Sequence, residues 1–291
     1  MTTSPIVLER LTCVALFGVR FWDAVSTRTV SDDLSVSASL PNNSTRRFAL
    51  TPNRSGVYVL HHAPGLEAFE YGAGDEAFWE NLPPLRPFVI EVNDLQRRFH
   101  PMAFTVKLPN RGIFGWEALS ASPRASVLPA VPLYSTPTRT VPGGMAVVRA
   151  DLWDARENSP AAWAVVEVQS ESQAPICALA DENGRVAVIF PYPEPLPGSM
   201  SSPPGSPLAG GPRQLTDQTW PIHLRVFYSP HIPTPRIPSL EDVLNQAPAT
   251  LLATLSPPVP LSEVRLAFSQ ELIVKSQFRS ELLVIPAGSP L

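Results

Sequence analysis

A chain of 291 residues is long enough for two domains with separate cores, and 44% apolar with 16% charged residues excludes an intrinsically disordered chain. A formal net charge of −4 excludes nucleic acid as the main partner, because phosphate binding rests on clustered Lys and Arg. The 35 prolines exclude long helices, since proline belongs at edges, turns and linkers.

In chain order, Pro5 to Glu9 reads as an entry arm. Leu11 to Val19 reads as a strand and not as a signal peptide, because it follows Glu9-Arg10 and lacks a small-residue cleavage site. Leu34-Ser-Val-Ser-Ala-Ser-Leu40 alternates with period two, as a half-buried strand does. Turns at Pro41–Ser44 and Thr51–Gly56 lead into a strand from Val57 to His62. Gly65 to Pro84 is loop-like, with one helical turn at Asp75–Trp79, and Phe88–Val92 and Met102–Leu108 are strands. Residues 117–142 are rich in Pro, Ser and Thr, which suits a stiff extended connector or a long loop packed on one domain. Met145–Ala155 and Ala162–Val168 are strands. Ile176 to Pro191 reads as a hairpin around Asp181-Glu182-Asn183-Gly184, where Asn-Gly supplies the positive φ angles of a tight turn. Pro193 to Gln214 is made of breaker residues and belongs at a surface.

The fold class that follows is all-β: two Ig-like or transthyretin-like β-sandwich domains in tandem, at 1–116 and 143–230, with an insertion at 193–214 and a C-terminal docking segment at 231–291. In that segment Ser239 to Asp242 forms a capping box with Leu240, Val243 and Leu244 on one face, so a short helix is expected, followed by three short strands. Such a body is too small to fold alone and must pack on the second domain or on another chain. A divergent duplication is also legible. Val19-Arg-Phe-Trp-Asp-Ala24 resembles Val148 to Ala155, and Asn53 to Leu60 resembles Asn183 to Ile189. The separation is 33 residues from Asp23 to Gly56 and 30 from Asp154 to Gly184.

The sequence holds no zinc-protease, P-loop, nucleophile-elbow or Cys-x-x-Cys motif, so no catalytic residue, metal ligand or cofactor is assigned. His61-His62 is read as structural, because adjacent strand residues point to opposite faces and cannot share a metal without a bulge. Cys13 and Cys177 are read as buried free thiols in strand contexts. Asp181-Glu182 and Asp32-Asp33 are read as turn residues. Trp22, Trp153 and Trp163 are expected in the core. Trp79 and Trp116, in loops, are candidate interface anchors or a sugar-stacking platform. With them, Leu240, Leu244, Leu251, Leu252, Leu272 and Leu282 of the tail are the candidate protein-interface side chains.

The second domain's Asp154-Ala155 turn, Ala162–Val168 strand and Asp181-Glu-Asn-Gly184 turn resemble the carboxypeptidase regulatory-like, transthyretin-type β-sandwich. As a whole, the chain is similar to proline-rich accessory proteins of bacterial extracellular contractile injection systems. The residues that carry this are Phe88–Val92, Phe99-His-Pro101, Leu108–Gly112, Pro142–Arg149, Phe190–Glu194, Gln246–Leu252 and Pro286–Pro290. The resemblance implies a non-enzymatic structural protein of a phage-tail-like particle at its baseplate. It would be assembled in the cytoplasm with baseplate, sheath or tube subunits as partners, without membrane insertion. A carbohydrate-binding or adhesion module using Trp79 and Trp116 is the alternative.

Overall fold

The computed structural model describes residues 12–116, 130–171, 173–194, 218–230 and 236–288. The entry arm, residues 117–129 of the expected connector and residues 195–214 of the expected insertion lie outside the described residues. The chain forms two compact units. Unit 1 is Met1–Trp22, Thr29–Leu95 and Ala103–Pro132; unit 2 is Asp23–Arg28, Gln96–Met102 and Leu133–Leu291. Each unit is thus discontinuous, where a single cut near Trp116 was expected.

The strands of the first stretch are β1 (Gly18–Val19), β2 (Phe21–Asp23), β3 (Thr29–Val30), β4 (Leu34–Leu40), β5 (Asn43–Ala49), β6 (Thr51–Pro52), β7 (Tyr58–Val59), β8 (Arg86–Asp94), β9 (Met102–Leu108), β10 (Ile113–Phe114) and β11 (Val131–Leu133). One sheet of unit 1 has the order β5-β4-β8-β9 and a second β10-β1-β7-β6, while β11, β2 and β3 form a separate three-stranded sheet in that order. Alternation places Leu34, Val36 and Ala38 of β4 inward with Phe88, Ile90 and Val92 of β8. The two sheets meet where Phe104 of β9 stacks on Phe114 of β10 at 5.7 Å between ring centroids. A short helix, α1 (Glu76–Glu80), starts where the Asp75 side chain accepts the Phe78 N–H, so the expected helical turn forms through an N-cap. The later part of the expected connector is not an extended tether. Val131, Leu133, Tyr134 and Ser135 are buried, and Val131–Leu133 is a strand.

Unit 2 contains β12 (Met145–Asp154), β13 (Ser159–Pro160), β14 (Val165–Ser170), β15 (Ile176–Leu179), β16 (Arg185–Pro191), β17 (Thr219–Phe227), α2 (Leu240–Leu244), β18 (Pro248–Leu255), β19 (Pro258–Pro260), β20 (Val264–Ala267), β21 (Leu272–Ile273) and β22 (Leu282–Ile285). The sheet runs β13-β12-β22-β18-β17-β14-β15, with β16 and β21 also paired to β12, β20 to β17 and β19 to β18. Its core is built on Val148, Leu152, Val166, Val188, Ile222 and Leu282. The expected β15–β16 hairpin takes another form. β15 pairs antiparallel with β14, while β16 pairs antiparallel with β12 over Met145–Asp151, so the turn carries the chain from one end of the curled sheet to the other.

That turn also differs in type. Only Gly184 has a positive φ, at 76°, so a single left-handed glycine closes the loop, not an Asn-Gly pair. Asp181 Oδ1 accepts the N–H groups of Asn183 and Arg185 at 2.8 and 2.9 Å. Asn53 Oδ1 accepts those of Ser55 and Val57 at 2.9 and 3.0 Å, and Gly56 takes φ 72°. The two turns are therefore built alike, with Asn53 matched to Asp181 and Gly56 to Gly184. Upstream, Asp23 and Asp154 each end a strand and each accept the N–H two residues on, at 2.9 and 2.7 Å.

Of the two placements open for the tail, packing on the second domain is the one the sheet shows. β22 lies parallel to β12 and antiparallel to β18, and β18 continues the sheet to β17. Gln246 fastens the junction. Its Nε2 donates to the Trp163 carbonyl at 2.7 Å, and its Oε1 accepts the Ser229 N–H at 3.0 Å. Of the expected capping box the N-cap half forms, with Ser239 accepting the Asp242 N–H, and Leu240, Val243 and Leu244 are all buried.

Candidate functional site

The side chains singled out as interface anchors are mostly consumed by the chain's own core, which corrects the expectation that they face a partner. Leu240, Leu244, Leu251, Leu252 and Leu282 are buried because α2, β18 and β22 are interior parts of unit 2. Leu251 and Leu282 face the main core, while Leu252 packs with Leu283 and Ile285 on the other face of the same strands. Leu272 is half-buried against that main core. Trp116 is 0% exposed, set edge-on to Phe104 at 6.1 Å, so its ring cannot stack on a sugar. Trp79 is half-buried on α1 against Phe78, with ring centroids 5.4 Å apart.

The exposed apolar surface of the tail lies elsewhere. Among the described residues of unit 2, the large apolar side chains left exposed are Leu255, Val259, Ile273 and Phe278, and Phe278 is 96% exposed. Phe278 sits on a tight turn before β22 with φ 62°, an unusual backbone conformation for a bulky residue. The turn is held by buried Ser276. Its Oγ donates to the Leu252 carbonyl and accepts the Leu283 N–H at 2.9 Å. Beside it the Gln277 N–H donates to the Ala253 carbonyl at 2.7 Å. The ring is therefore presented on a fixed support and touches no core.

Ionisable groups in unit 2 are arranged for support. Arg139 forms a two-pronged pair with Asp23 at 2.9 and 2.7 Å and lies 4.8 Å over the Phe99 ring. Burial pushes the Asp23 carboxyl up, but Arg139, the Ser26 hydroxyl and the Val25 N–H together bring it below its ordinary value. His100 is buried, edge-on to Trp163, and its Nε2 donates to the Leu179 carbonyl at 3.0 Å. Burial lowers its pKa to about 4, so the ring is neutral near pH 7. Burial and the neighbouring Asp154 push the Tyr228 phenol up. Where β17 parts from β18, a cleft of about 440 Å³ is lined by apolar residues such as Leu224, Phe227 and Leu261, with Thr250 and one ionisable group, Arg225. Arg225 is engaged by Gln169 at 2.9 Å and Glu167 at 3.6 Å.

In unit 1 the structure changes the reading of the cysteine and histidines. Cys13 is exposed, not buried, because it makes only an isolated bridge to Tyr71 at the start of the described chain. Cys177 is half-buried on β15. His61 and His62 lie beyond β7, which ends at Val59, and His62 has φ 58°, so strand alternation does not separate them. Their rings lie 6.5 Å apart. Glu70, fully buried, follows the 3₁₀ turn Glu67–Phe69, and its Oε1 accepts the Ala63 N–H at 3.1 Å. Donor atoms of Cys13, His61 and Glu70 all lie within 4.8 Å of one another. Sequence spacing alone gave no sign of this grouping, since the three residues come from separate stretches joined by a loop fold.

Comparison with models of known protein families gave no match, and neither did comparison with curated proteins. Several solved structures are similar in part. The shaft pilin SpaA of Lactobacillus rhamnosus GG is 7% identical, with 97% of this chain and 100% of that one covered at a TM-score of 0.23. A streptococcal ancillary pilin is 11% identical over 94% of this chain and 63% of that one, at 0.22. The C-terminal fragment of the pilus adhesin SpaC of L. rhamnosus GG is 9% identical over 94% and 99%, at 0.21. Overlap this shallow carries no argument, and the all-β class rests on the sheets described above.

Proposed function

We propose that the chain is a non-enzymatic structural subunit of a larger assembly, a pair of sheet-built spacers that neighbouring proteins grip from outside. The observation that carries this is Phe278: a fully exposed aromatic ring on a turn held by buried Ser276. Exposed aromatics on rigid supports make effective anchors, because little side-chain freedom is lost when a partner covers them. Ile273, 66% exposed on β21, is a second exposed apolar side chain of the tail. The motifs quoted above, Phe99-His-Pro101 and Gln246–Leu252 among them, support placing the subunit at the baseplate of a phage-tail-like contractile particle assembled in the cytoplasm.

The test is co-expression of the tagged full chain with the baseplate, sheath and tube proteins of a contractile particle, followed by pull-down. Because Phe278 touches no core, Phe278→Asp leaves the thermal midpoint in place. It is expected to lower partner recovery by about 30-fold, the loss of an anchor contributing about 2 kcal/mol. Unchanged recovery from the variant would remove Phe278 as the anchor. Recovery of partners that are none of these particle proteins would overturn the contractile-particle reading while leaving the spacer role.

A further inference from the structure

The cluster in unit 1 is independent of the assembly reading. Glu70 is fully buried; its Oε1 accepts one backbone N–H, while Oε2 is buried without a hydrogen-bond partner, with His62 Nδ1 3.4 Å away. A buried carboxylate oxygen that makes no hydrogen bond and has only a loose ion pair with an exposed imidazole is costly, and native folds satisfy such groups with donors, water or an ion. The groups gathered beside it are a thiol and an imidazole, both accessible to solvent. Thiolate, imidazole and carboxylate together form a donor set suited to Zn²⁺, with bonds of about 2.0–2.3 Å.

We propose that Cys13 Sγ, a ring nitrogen of His61 and the Glu70 carboxylate bind a zinc ion, with water in the fourth position. Tetrahedral bonds of that length set ligand atoms about 3.3–3.7 Å apart. The present spacing, within 4.8 Å, closes to that by rotation of the exposed Cys13 and His61 side chains while buried Glu70 stays fixed. On binding, the Cys13 thiol releases its proton to solvent, and the sulfur donates an electron pair to the metal. His62, beside Glu70 Oε2, orients the carboxylate. The ion ties the first described residues of the chain to the loop after β7. The Val14 N–H already donates to the Glu70 carbonyl there at 2.7 Å.

The full chain, freed of metal by a chelator and kept reduced, is titrated with Co²⁺ as a spectroscopic stand-in for zinc. One equivalent is expected to produce a thiolate-to-cobalt charge-transfer band and the intense visible bands of four-coordinate cobalt, both bleached by Zn²⁺. Cys13→Ser abolishes the charge-transfer band, His61→Ala and Glu70→Gln each weaken binding at least about tenfold, and Cys177→Ser changes nothing. Cys13 and His61 are exposed, so their variants keep the fold, as unchanged circular dichroism will verify. The absence of a thiolate band, its survival in Cys13→Ser or its loss in Cys177→Ser would overturn the site.

Discussion

At His100 the fold works against protonation, and this gives stability a defined dependence on pH. The imidazole is buried against Trp163 and Leu179, and burial lowers its pKa to about 4 from the ordinary 6.5. The unfolded chain therefore takes up a proton before the folded one does. The contribution is complete above about pH 6.5 and is lost as pH falls toward 4, at a cost of up to about 3 kcal/mol. Asp23 acts in a different window. Its carboxyl is held below 3.8, so its contribution is present above that pH and fades only below it. Urea midpoints measured from pH 8 to pH 4 should fall for the natural chain and fall much less for His100→Asn; parallel profiles would contradict this assignment. Nothing in Phe99-His-Pro101 announces such burial, which comes from the Leu179 and Trp163 segments far along the chain. The exposed thiol of Cys13 was illegible for a related reason. An apolar neighbourhood in sequence reads as a core strand, whereas the chain makes only one isolated bridge there.

Short-range chemistry was the most legible part at the level of elements. Alternation in Leu34–Leu40, the helical turn at Asp75–Trp79 and the cap at Ser239 all formed where residue types placed them, because each depends on neighbours within a few positions. The partners of β15 and β16 were not legible, since a turn motif specifies how the chain reverses and not which sheet receives each arm. The paired turns at Gly56 and Gly184 support the duplication and separate two costs. Both need a positive φ, which costs an alanine about 1 kcal/mol. At Gly56 an added Cβ meets the Ser31 side chain at 3.2 Å, whereas at Gly184 it meets the Leu152 carbonyl oxygen at 2.3 Å. Gly184→Ala should therefore cost about 1–3 kcal/mol more than Gly56→Ala. Thermal unfolding of both variants provides the comparison, and equal losses would show that the Leu152 backbone moves aside freely.

For the whole molecule, the central point is that the C-terminal strands β18 and β22 complete the sheet that β12 begins. From the sequence the tail was expected to need a body to pack on. The sequence could not choose between its own domain and another chain, because a strand's hydrophobic pattern looks the same whichever sheet edge it joins. The choice is visible in β22 lying between β12 and β18, and in Gln246 bridging Trp163 and Ser229. Truncating the tail would therefore expose the core of unit 2 and would not simply remove a docking arm. Hydrogen exchange on the isolated full chain tests this most directly, comparing amides of Leu282–Ile285 and Thr250–Leu252 with those of Val147–Asp151. The account predicts that all three segments exchange in the same slow class and lose protection together as denaturant is added. Rapid exchange of the C-terminal strands while Val147–Asp151 stays protected would contradict it.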